Sequence, residues 1–197
     1  MTIRGTEPLG PAGEARRPGT IPNGLFGMLV FVMTEIMLFA GLISAFVIGR
    51  AAAPAWPPPG QPRLPVEATA VNTLVLLASG AALILAHRHF HQGERARMRR
   101  PMQFALGLGA FFVLFQGYEW VRLIAQGLTL TSSALGSYFY LVVGMHAIHA
   151  LCALVLLGYA NLRLQRGFLT DSLFGAVETL WLFVVGVWPV LYWVVYL

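Results

Sequence analysis

Five long apolar stretches, at about residues 24–48, 68–87, 102–125, 135–160 and 172–197, dictate what this chain can become. Inside a bilayer no water reaches the backbone N–H and C=O groups, so each stretch must satisfy its own hydrogen bonds, as a helix does. The first stretch, GLFGMLVFVMTEIMLFAGLISAFVI from Gly24 to Ile48, rises about 37 Å at 1.5 Å per residue, enough to cross a hydrocarbon core of about 30 Å with some tilt. The expected fold is all-α, a polytopic membrane bundle of five transmembrane helices. A chain that is 57% apolar and 11% charged suits neither a soluble domain nor a disordered one.

Charge sets the expected topology. Every basic side chain is an arginine, and the net charge is +5. A basic chain raises the question of nucleic acid, but these arginines lie in the tail and between apolar spans, where they orient the helices, so no nucleic-acid partner is expected. Arg4, Arg16 and Arg17 precede the first span, Arg88, Arg95, Arg97, Arg99 and Arg100 follow the second, and Arg163 and Arg166 follow the fourth; Arg50, Arg63 and Arg122 fall on the other side. The asymmetry predicts a cytoplasmic N-terminus and an external C-terminus. Residues 1–23, polar and rich in Gly and Pro, read as a flexible cytoplasmic tail before a membrane domain at 24–197. They lack the apolar core of a secretory signal, so the first span is expected to double as the insertion signal.

The connections differ in kind. PAWPPPGQPRLP, at 54–65, cannot be helical, because each proline removes a donor and restricts its predecessor. RHFHQGERARMRR, at 88–100, reads as a basic loop among solvent or headgroups. In the second span Ala78, Ser79, Gly80, Ala81 and Ala82 allow close approach of a neighbour, and in the first Gly27, Thr34, Gly41 and Ala45 form a small-residue seam where another helix is expected to meet it. Pro189 leaves the carbonyl of Val185 without its helical donor, so a kink is expected there.

Few residues offer chemistry. Glu35 is a carboxyl near the middle of the first span. An acid at that depth costs roughly 2.5–3.5 kcal/mol on insertion scales, so it must face protein or internal water and be neutral or hydrogen-bonded. It sits roughly 100° round the helix from the small-residue seam, at the border of a helix contact. His146 and His149 are three apart on the fourth span and project on neighbouring sides one turn apart. Imidazoles bind zinc, copper or iron, but no further histidine lies at matching depth, since His87 ends a span and His89 and His91 lie in the basic loop. The two are read as core hydrogen-bonders rather than metal ligands. Glu119 and Arg122 can form an i, i+3 ion pair near the membrane edge, and Glu178 lies two turns into the fifth span. Cys152 stands alone, which excludes an internal disulfide and a multi-cysteine metal site. No phosphate-binding glycine pattern and no Ser, His and Asp set at a shared depth is present, so no catalytic residue is assigned.

In chain order, MTEIMLFAGLISAF at 33–46, WPPPG at 56–60, VNTLVLLASG at 71–80, AHR at 86–88, FQGYEW at 115–120 and GSYFYLVVGMHAIHAL at 136–151 together resemble subunit III of the haem–copper terminal oxidases, which include cytochrome c and quinol oxidases. Glu35 matches that family's buried acid, and the last motif fits its GS-x-F-x4-G-x-H-x2-H pattern. The five-span length resembles bacterial members. The last span departs: Leu182 and Val185 stand where the family usually has His and Asp.

The resemblance implies a two-plus-three, V-shaped arrangement of the helices, with phospholipids bound in the cleft. It implies a non-catalytic subunit of a proton-translocating oxidase, in a bacterial plasma membrane, packed directly on subunit I and assembled with subunit II and other respiratory-complex subunits. Haem and copper then belong to the partner subunits, with no cofactor or metal in this chain. Glu35 would lie beside the lipid cleft and subunit I, His146 and His149 in the core or against lipid, and Trp56 at the membrane interface. The same features are compatible with an accessory subunit of a nitric oxide reductase. A stand-alone proton-conducting protein using Glu35, Glu119 and Glu178 is the reading from another class.

Overall fold

The computed structural model describes residues 22–197, so the expected tail lies outside the described residues up to Ile21. The described chain forms α1 (Asn23–Ala52), α2 (Val66–His91), α3 (Arg95–Ala125), α4 (Ala134–Gln165) and α5 (Asp171–Leu191), closed by a π-helical turn at Tyr192–Tyr196. All five helices are long and apolar enough to cross a membrane, and there is no strand among the described residues. The proline-rich segment before α2 carries no helix.

The expected basic loop is mostly helix. Arg88 ends up in the last turn of α2, and Arg95, Arg97, Arg99 and Arg100 open α3, leaving only residues 92–94 to turn the chain. Arginine is a good helix former, and the reversal is made by Gly93 at φ 74°, a conformation that a side chain resists. Arg95 then lies over the Phe90 ring, 4.1 Å from its centroid, and donates to the Leu169 carbonyl at 3.2 Å, tying this turn to the one between α4 and α5. The last two helices start on side-chain caps: Ser133 accepts from the Gly136 amide at 3.1 Å, and Thr170 from that of Leu173 at 3.3 Å. α5 runs through Pro189, and the ladder widens to π spacing from Tyr192 onward.

The five helices divide into a pair and a trio, but the pair is not the first two helices. α2 pairs along its length with α3, whereas α1 lies against α5 and α4 and makes no comparable contact with α2. The small-residue seam explains part of the difference. Gly27, Thr34, Gly41 and Ala45 all face outward, and a Cβ placed on Gly27 or Gly41 would meet nothing within 4 Å. The close approaches of α1 lie elsewhere: a Cβ on Gly24 would strike Ser172 of α5, and one on Gly49 the ring of Tyr138 on α4.

α5 is the centre of the bundle. Trp181 and Trp188 are fully buried, and their indoles donate to Ser79 at 3.1 Å and Thr73 at 2.9 Å, both on α2. Ser79 in turn donates to the Ala105 carbonyl of α3 at 2.7 Å, and Asn72 to that of Phe112 at 3.2 Å. Small residues make room for these contacts: Gly80 faces Val185, and Gly109 faces the Trp181 ring.

Candidate functional site

Glu35 belongs to the inward stripe of α1, which runs Met28, Glu35, Phe39, Leu42 and Phe46 at steps of three, four and seven residues. That stripe faces α4 and α5, and it delivers the carboxyl to His149. Glu35 Oε2 and His149 Nε2 are 2.8 Å apart, with side chains only 12% and 13% exposed. The other ring nitrogen, Nδ1, lies 2.8 Å from the Met145 carbonyl one turn back. A carbonyl only accepts, so Nδ1 carries the hydrogen, and Nε2 is the nitrogen that faces the carboxyl. The approach lacks hydrogen-bond alignment, which leaves Oε2 without a well-directed donor. Phe39, its ring 5.5 Å from that of His149 and edge-on, walls the contact on one side. The arrangement can hold a proton between α1 and α4.

His146, one turn earlier, is buried differently. Its ring lies tilted over Trp188 at 4.9 Å and meets Phe112 edge-on at 6.4 Å. Both ring nitrogens are buried without a hydrogen-bond partner among the described residues, so the expected core hydrogen bond is not made by His146 there. The reason is its neighbours: aromatic carbon faces it where His149 meets a carboxyl and a carbonyl.

Glu119 is buried, and its carboxylate lies 3.8 Å from Arg122, whose side chain is 56% exposed. Trp56 is half-buried edge-on against Phe46 at 5.6 Å, and with Arg50 and Arg63 it lines a pocket of about 390 Å³ at one end of the bundle. Glu178, which sequence reasoning left without a partner, meets His87 Nδ1 at 2.7 Å. The signal was available: in an up-and-down bundle the end of α2 and the start of α5 share one membrane face. The three carboxyls Glu35, Glu119 and Glu178 are thus held in three separate pairs. Among the described residues no three His, Cys, Asp or Glu side chains converge as a metal site.

The profile of one family, described as cytochrome c oxidase subunit III, matches residues 16–197. The chain is similar to cytochrome c oxidase subunit 3 of Sus scrofa, 31% identical over 193 residues that cover 93% of this chain and 73% of that one. It resembles the protein of the same name from Hippopotamus amphibius at 33% identity, covering 89% and 70% of the two chains, and that from Synechocystis sp. at 31%, covering 88% and 75%.

Proposed function

This chain belongs to the cytochrome c oxidase subunit III family, and from that membership we propose that it is the non-catalytic subunit III of a bacterial respiratory haem–copper oxidase. It packs directly on subunit I, whose haem and copper reduce oxygen, stabilises it during turnover, holds phospholipids against its apolar flanks and supports proton uptake. The chain itself carries no cofactor. Its N-terminus lies in the cytoplasm and its C-terminus outside.

The observation that carries the partner assignment is the outer face of α1. Gly27, Thr34, Gly41 and Ala45 run down it in a seam that no helix among the described residues fills, flanked by outward-facing Val30, Met33 and Met37. Lipid tails gain little from a groove of small residues, whereas a second helix gains close backbone approach. The buried Glu35–His149 contact, about a quarter-turn round from this seam, supports a proton-holding role at the same helix.

Affinity purification of the chain in mild detergent, with an optical spectrum and mass identification of what accompanies it, tests the proposal. Haem absorption with a co-purifying haem–copper subunit is expected. A colourless, unaccompanied chain that conducts protons in liposomes refutes it. The departures at Leu182 and Val185 favour one further reading, a nitric oxide reductase partner, and oxygen against nitric oxide consumption by the purified complex separates the two. Glu35→Gln should leave the complex assembled while shortening its turnover lifetime or slowing proton uptake.

A further inference from the structure

Of the thirteen arginines, the proposed topology leaves only Arg50, Arg63 and Arg122 at the external end of the bundle. Two of the three meet in one place. Arg50 stands in the last turn of α1, just past the apolar run, and Arg63 belongs to the proline-rich segment that leads into α2. Together with Trp56, Leu64 and Tyr196 they line the pocket of about 390 Å³ at this end. A second opening, of about 660 Å³, shares Arg50, Trp56 and Leu197 and runs out over Val47 and Trp193, which are 49% and 71% exposed.

The charge in this pocket is unmatched. Arg122 has Glu119 at 3.8 Å, but among the described residues no ion pair joins Arg50 or Arg63 to a carboxylate. Even a carboxylate at Leu197, which also lines the pocket, would leave it positive. Arg50 spends one of its five N–H donors on the Val194 carbonyl, at 3.4 Å, and the rest remain for a guest. A guanidinium presents its N–H groups as a planar fork that fits the oxygens of a phosphate. The space is many times the roughly 10–15 Å³ that holds one water, so it suits a headgroup rather than a lone ion. Its walls decide between sources of phosphate. Free phosphate would use the arginines and leave Trp56, Leu64 and the exposed Val47 and Trp193 uncovered, whereas a phospholipid brings glycerol and acyl carbon to cover them. Tryptophan is at home at that depth. An ammonium headgroup would set a cation beside two others; an anionic headgroup does not.

We propose that this pocket binds the phosphodiester of an anionic glycerophospholipid of the outer leaflet. Arg50 and Arg63 hold the phosphate oxygens, Trp56 covers the glycerol, and the acyl chains leave past Val47 and Trp193. The inference rests on the lipid-holding part of the proposed function and gives it a place and a headgroup chemistry.

The test places the full chain in bilayer discs of phosphatidylglycerol and phosphatidylcholine in equal amounts, releases it in mild detergent and counts the retained lipids by mass spectrometry. Phosphatidylglycerol should be enriched. Arg50→Gln/Arg63→Gln should reduce that preference roughly tenfold or more, since one arginine at a membrane surface shifts anionic-lipid binding about fivefold, whereas Arg122→Gln should keep it. A preference that survives the double variant, or that falls equally in Arg122→Gln, overturns the proposal; lipid still retained then leaves the broader lipid-holding reading standing. Inorganic phosphate at matched ionic strength should not displace the phosphatidylglycerol, and displacement overturns the proposal in favour of a free anion. A density map of the intact complex is independent of whether the variants fold. Phosphate density is expected within about 2.7–3.2 Å of guanidinium nitrogens of both arginines, with tails running towards Val47 and Trp193. An empty pocket, or an acidic side chain of a neighbouring subunit seated on the two arginines, overturns it.

Discussion

Removing the two partners of the Glu35–His149 contact one at a time and together should show which of them the bundle cannot tolerate alone. Interhelical polar pairs in membrane bundles contribute about 0.6 kcal/mol on average and at most about 1.7, because helices separated in the membrane find other partners. This pair belongs near the upper end: the separation is 2.8 Å, both side chains are about seven-eighths buried, and one member is a carboxyl. Hydrogen bonds to charged groups contribute about 1.5–3 kcal/mol in general, and the imperfect alignment lowers the figure here. We expect a coupling of about 1.5 kcal/mol, equivalent to roughly 3–6 °C in melting temperature. The two single variants should differ. His149→Leu strands a carboxyl at mid-helix and should cost about 2 kcal/mol, whereas Glu35→Leu strands only an imidazole nitrogen and should cost about 1 kcal/mol or less. With both polar partners gone, Glu35→Leu/His149→Leu should be no less stable than His149→Leu. Intrinsic tryptophan fluorescence during thermal unfolding in detergent reports the result, since Trp181 and Trp188 are fully buried. Additive single effects, or Glu35→Leu as the worse variant, would refute the reasoning.

Gly41→Leu should leave the melting temperature of the isolated chain nearly unchanged, because a side chain there meets nothing within 4 Å, yet reduce co-purification of the haem-bearing partner severalfold in the pull-down. Gly109→Ala places a methyl group against the buried Trp181 ring and should destabilise by about 1–3 kcal/mol in the same unfolding assay. Ser79→Ala removes the acceptor of the Trp181 indole and the donor to Ala105; stranding both should cost about 1–3 kcal/mol, and a loss below about 0.5 kcal/mol would show that α2 and α5 do not depend on this bridge.

The five helices were legible because a run of apolar residues long enough to cross a bilayer has one structural solution. Their grouping was not. In a soluble helix the buried stripe is apolar and the rest polar, but here the lipid-facing residues Val30, Met33 and Met37 are as apolar as the core residues Phe39 and Phe46. Sequence pattern alone then cannot say which face of α1 turns inward. Small residues were read as a seam where another helix meets α1, and that seam at Gly27, Thr34 and Gly41 faces outward, unmet by any helix among the described residues. Glu35 escaped this ambiguity, since a mid-membrane carboxyl must find protein or water. Its partner did not, because His146 and His149 are equivalent on spacing and only the neighbouring helices distinguish a ring that meets Glu35 from one pressed on Trp188.

The departures at Leu182 and Val185 acquire a meaning from the register between α2 and α5. Val185 is buried against Gly80, so an Asp at this position would enter the α2 contact directly. The two helices run antiparallel, and seven residues further along α2 and seven back along α5 the facing pair is His87 and Glu178, whose side chains meet at 2.7 Å. Seven residues is close to two full turns, so Glu178 occupies the same stripe of α5 as Val185. The carboxyl contact across α2 and α5 is therefore made at the helix ends, where His87 is 42% exposed, while at the level of residue 185 a valine packs on glycine. A carboxyl near the membrane edge is less costly to bury than one at the centre. The apolar residues at 182 and 185 thus leave the join between α2 and α5 intact, held by the Trp181 and Trp188 hydrogen bonds in the middle and the Glu178 pair at the end.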